Sequence, residues 1–162
     1  MAVHNPLRVL ILDDCEVIPD TLCMILNKSG FEARPVYTHR AAILAAHAFT
    51  PDVLLTGFNN CGEKNGCETA AEVLSFLPEC RMIVFSGSAA AAPVLQEFSE
   101  RGYAYEVMAK PLHPIDLINV LRGPAGPFMA DEPRETPPLP PEPFWRRFNK
   151  IPWIFKRRSA LD

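Results

Sequence analysis

With 162 residues, 48% of them hydrophobic, the chain has room for one ordinary domain and an appendage. A net charge of −3 excludes polyanion binding by bulk charge, although residues 1–122 carry 9 Lys and Arg against 14 Asp and Glu, and residues 123–162 carry 7 against 5. Five cysteines (Cys15, Cys23, Cys61, Cys67, Cys80) show no framework spacing, no signal peptide is visible, and no run approaches the ~18 apolar residues of a membrane span, so free thiols in a soluble, cytoplasmic protein are expected.

In chain order, "LRVLIL" (7–12) is a continuous apolar run, as expected of a strand buried on both faces. "VIPDTLCMILNKSG" follows with helical spacing of Leu22, Ile25 and Leu26 and a stop at Gly30. "FEARPVY" (31–37) predicts a weaker strand, which Pro35 assigns to a sheet edge. "THRAAILAAHAF" (38–49) predicts a helix with Thr38 as N-cap. "DVLLTG" (52–57) is a third buried strand, and "CETAAEVLSFL" (67–77) a third helix. "RMIVFSG" (81–87) and "AAAAPVLQEFSERG" (89–102) form the next pair, with Pro93 in the helix's first turn. "YEVMA" (105–109) and "HPIDLINVLRG" (113–123) form the last. Strand and helix alternate through five units, which predicts a parallel sheet with helices on both faces.

Beyond Gly123 the composition changes. Residues 123–143, including "PPLPPEP", predict a stiff linker of polyproline character. "FWRRFNKIPWIFKRR" (144–158) mixes five aromatics with six positive charges. Phe144, Trp145, Arg146, Arg147 and Trp153 are its candidate contact residues, toward an anionic membrane surface, nucleic acid or a partner's groove.

In an open parallel sheet, chemistry sits beyond the C-terminal strand ends. Asp13-Asp14, Thr56-Gly57, Ser86-Gly87 and Lys110-Pro111 end four of the predicted strands. Two acids offer hard oxygen ligands for Mg²⁺, and a lysine with a hydroxyl suits an anionic oxygen. Lys110 also has Asp13 and Asp14 as candidate ion-pair partners. Cys61 and Cys67 share the loop beyond the third strand and read as free thiols. His39, His47 and His113 read as solvated helix residues.

The motifs "LILDDCE", "PDVLLTG", "IVFSGS" and "VMAKPL", in this order over residues 5–122, resemble the receiver domain of bacterial two-component response regulators. The resemblance implies a flavodoxin-like (βα)5 fold with strand order 2-1-3-4-5. It implies Mg²⁺ at Asp13 and Asp14, phosphoryl contacts by Lys110, and Ser86 as the residue that reports phosphorylation. The phospho-acceptor position, however, falls on Gly57, which has no nucleophile. The aromatic switch position falls on Val107, with Tyr105 out of register. The chain therefore resembles a degenerate pseudo-receiver with at most a weak Mg²⁺ site. Its expected role is non-enzymatic contact with a histidine kinase or other signalling proteins, at a surface near residues 89–122, and a homodimer stays open. The alternatives are phosphorylation at Glu63 or Thr56, and an adaptor addressed to membrane or nucleic acid by residues 144–162.

Overall fold

The computed structural model describes residues 5–58, 65–87 and 91–123. Five strands and five helices alternate: β1 (Arg8–Leu12), α1 (Val17–Lys28), β2 (Glu32–Val36), α2 (His39–Phe49), β3 (Val53–Gly57), α3 (Gly66–Phe76), β4 (Arg81–Ser86), α4 (Ala92–Glu100), β5 (Glu106–Ala109) and α5 (Pro114–Arg122). All strands pair in parallel, in the order β2-β1-β3-β4-β5. This is the flavodoxin-like arrangement.

The apolar runs explain the layering. Side chains alternate between sheet faces, so a strand covered on both sides is apolar throughout. Val9, Ile11, Val53, Leu55, Ile83 and Phe85 pack with Leu22 and Leu26 of α1 and Leu117 and Leu121 of α5. Leu10, Leu12, Leu54, Met82 and Val84 pack on the other face against α2, α3 and α4. β3, central in the sheet, is buried at all five positions. β2 lies at an edge, where Pro35 costs no essential ladder bond.

Helix ends follow local chemistry. Thr38 caps α2 by accepting from Ala41 N–H. Gly30 (φ 91°) and Gly102 (φ 85°) turn the chain beyond α1 and α4 in a conformation that favours glycine. α3 starts one residue before the predicted boundary. There Asn65 accepts from Glu68 N–H while the Glu68 carboxylate accepts from Asn65 N–H, so two otherwise orphaned donors are satisfied. That capping box puts Cys67 inside the first turn of α3, buried, which agrees with the helix predicted from 67 and corrects its placement in a loop shared with Cys61. α4 is shorter than its pattern, and residues 88–90 lie outside the described segments.

Candidate functional site

The C-terminal ends of β1, β3, β4 and β5 share one edge of the sheet. Leu12 pairs with Thr56, so the next step along each strand brings Asp13 level with Gly57, which itself pairs with Phe85. By alternation, Asp13, Gly57 and Phe85 belong to the α1/α5 face, and Thr56 to the opposite one.

Asp13 is only 1% exposed, and both its oxygens are engaged. Oδ1 accepts from Cys15 N–H at 2.9 Å, and Oδ2 accepts from Lys110 Nζ at 3.0 Å. The lysine ammonium also lies 4.6 Å from the centroid of the Phe85 ring, within cation–π range. Lys110 thus starts just past the end of β5, passes over β4, and reaches a carboxylate just past the end of β1. Between them, at Gly57, stands no side chain to intercept it. Asp14 is half-buried, and Ser86 is half-buried at the end of β4, where its carbonyl accepts from Lys110 N–H at 3.0 Å.

Thr56 is fully buried, and its hydroxyl donates to the Gly57 carbonyl at 3.1 Å. α3 begins directly against this strand end. A Cβ on Gly66 would lie 2.1 Å from the Gly57 carbonyl oxygen and 2.5 Å from Thr56 Oγ1, so only glycine permits the approach.

The donor set fits a Mg²⁺ ion poorly. Mg²⁺ favours near-octahedral oxygen coordination with carboxylate support. Asp13 is held by an ammonium and a backbone N–H, and position 57 supplies no oxygen from a side chain. Among the described residues no three His, Cys, Asp or Glu side chains gather to hold a metal ion.

His47 and His113 are exposed, as expected, whereas His39 is half-buried and departs from its expected solvation. His39 Nδ1 lies 2.9 Å from Thr69 Oγ1, and its Nε2 lies 3.2 Å from Glu72 Oε2. His47 stacks on Phe76 with centroids 3.8 Å apart. His113 caps α5, its Nδ1 accepting from Ile115 N–H at 3.3 Å. Thr69 and Glu72 are three apart and share one face of α3, but nothing local in the sequence ties that face to His39.

Burial pushes the thiols of Cys23 and Cys80 up to about 12 and that of Cys67 to about 11, which makes them poor nucleophiles at neutral pH. Cys15, beside the acid pair, is exposed. Val107, at the expected switch position, is 42% exposed. Cys61, Glu63 and the tail residues Phe144, Trp145, Arg146, Arg147 and Trp153 lie outside the described residues. No helix among the described residues is long and apolar enough to cross a membrane.

No family model matches the chain, and no curated protein matches it in sequence. Solved structures do resemble it. Chemotaxis protein CheY4 of Vibrio cholerae superposes with a TM-score of 0.64 at 21% identity, over 72% of this chain and 96% of that one. A CheY-like response regulator receiver domain protein of Methanospirillum hungatei gives 0.64 at 23%, over 72% and 90%. The signal receiver domain of a modulated diguanylate cyclase from Desulfovibrio desulfuricans gives 0.61 at 24%, over 70% and 89%. Likeness at these identities shows the fold.

Proposed function

We propose that residues 5–122 form a receiver-like domain of a two-component phosphorelay that acts by protein contact and takes no phosphoryl group at position 57. The observation that supports this most is the Lys110–Asp13 bridge above a residue that has no nucleophile. In the receiver family the corresponding lysine serves a phosphorylated aspartate; here its charge is already satisfied by an acid of the expected Mg²⁺ pair. Under this reading Mg²⁺ binding at Asp13 and Asp14 is weak, because the ion must displace the ammonium. Ser86 and Lys110 are remnants of a phosphate site, and the domain is not an enzyme.

Partners are a histidine kinase or other cytoplasmic signalling proteins. The proposed contact surface is α4, β5 and α5, where Val107 and Ile115 are 42% and 60% exposed. Phosphorylation at Thr56 is disfavoured by its full burial and by the bond its hydroxyl makes. The linker at 123–143 and an addressing role for residues 144–162 rest on composition alone. Deleting that tail and measuring sedimentation with anionic vesicles tests the addressing role.

The main reading is tested by incubating the full chain with Mg²⁺ and acetyl phosphate and recording its intact mass. An unchanged mass is expected. A stoichiometric, base-labile phosphoryl adduct sinks the proposal.

A further inference from the structure

Behind the pocket, on the α2/α3 side of the sheet, Glu72, His39 and Thr69 line up as carboxylate, imidazole and hydroxyl. The order is that of a nucleophile-activating triad, but Thr69 is 0% exposed and no substrate can reach its oxygen. The hydroxyl has a different use. Thr69 Oγ1 lies 3.1 Å from the carbonyl oxygen of Asn65 as well as 2.9 Å from His39 Nδ1. It carries one proton and cannot donate to both.

The two charge states of the imidazole resolve this conflict in opposite ways. When His39 is neutral with its proton on Nε2, that nitrogen donates to Glu72, and the lone pair on Nδ1 accepts a hydrogen bond from the Thr69 hydroxyl. When a second proton from solvent adds to Nδ1, that nitrogen becomes a donor to Oγ1. The hydroxyl must then turn and donate to the Asn65 carbonyl. We propose that Thr69 is a proton-steered hydroxyl switch, which transmits the charge state of His39 to Asn65, the N-cap of α3 and the residue at which the chain from β3 enters that helix. The inference does not depend on the proposed signalling role.

From α3, Glu72 faces Nε2 at 3.2 Å, Glu68 is bound to Asn65 N–H, and Cys67 is buried. On the strands beside α2, Arg8, Glu32 and Arg34 pair among themselves at the opposite sheet edge, while Asp13 is held by Lys110. Tyr37 binds Asp20, and Arg40 on His39's own helix is exposed.

The test is nuclear magnetic resonance on the full chain, through the pH range in which imidazoles exchange their second proton. The His39 ring nitrogens, the Asn65 carbonyl carbon and the Gly66 amide are followed together. The Asn65 and Gly66 signals are expected to move with the His39 midpoint in the wild type and in Thr69→Ser. They are expected to stay flat over that midpoint in Thr69→Val, while the His39 ring still titrates. Should Thr69→Val fail to fold, His39→Gln gives the same expectation of flat Asn65 and Gly66 signals. Signals flat in the wild type, or still titrating in Thr69→Val or His39→Gln, overturn the switch.

Discussion

The two edges of the sheet hold charge in different ways. At the N-terminal edge Arg81 grips Glu106 in a bidentate pair, Nε to Oε1 and Nη2 to Oε2 at 2.7 Å, and adds a bond from Nη2 to the Val120 carbonyl at 3.0 Å. Both side chains are nearly buried, 13% and 12% exposed. At the C-terminal edge Lys110 reaches Asp13 through one bond of 3.0 Å, with the lysine 34% exposed. A planar guanidinium with several acceptors fixes β4, β5 and α5 together; a flexible ammonium with one acceptor can be exchanged for another partner. The first edge reads as scaffold and the second as a site whose charges can be rearranged.

Breaking the scaffold edge has the largest expected effect. Arg81→Met leaves the Glu106 carboxylate nearly buried and unpaired, and urea denaturation should show a loss of about 3–5 kcal/mol. Gly66→Ala forces a Cβ into the backbone of β3, where relief requires moving α3; about 3 kcal/mol is expected by the same measurement, despite alanine's better helix propensity. Among the described residues, Lys110→Met leaves the buried Asp13 carboxylate with the Cys15 N–H as its remaining donor. Because the lysine is partly solvated, the expected loss is smaller, about 2 kcal/mol. If Lys110→Met costs as much as Arg81→Met, the contrast between the edges fails.

The mildest prediction concerns the core between them. Cys23, Cys67 and Cys80 have folded-state values of about 12, 11 and 12, above the ordinary 9.0 for a thiol. The folded state therefore retains protons that the unfolded chain releases. Stability is full below pH 9.0 and is lost as pH rises through about 11 to 12. Among the described cysteines, native-state alkylation near neutrality should modify Cys15 first, with Cys23, Cys67 and Cys80 reacting only on unfolding; a fast reaction at Cys67 would mean that the first turn of α3 opens readily.

Much of the fold was legible because its signals are local. Apolar runs, the Thr38 cap, Gly30 and Gly102 as stops and Pro35 at an edge all act within a few residues. Strand order rested on the resemblance, and the pairing bears it out. The candidate site was legible only in part. The end-of-strand residues could be named, but which acid holds Lys110 depends on a contact across 97 positions of sequence. The Arg81–Glu106 pair, the close approach of Gly66 and the His39–Thr69 contact likewise join residues with no shared period, and a lone histidine carries no local mark of its partner.

The central claim is that position 57 lacks the nucleophile while its surroundings survive. It is tested most directly by intact mass of the wild type and Gly57→Asp, each treated with Mg²⁺ and acetyl phosphate. The account predicts no adduct on the wild type and a base-labile phosphoryl adduct on Gly57→Asp, whose new carboxylate lies level with Asp13 and draws Lys110 toward it. A phosphoryl group on the wild-type chain would contradict it.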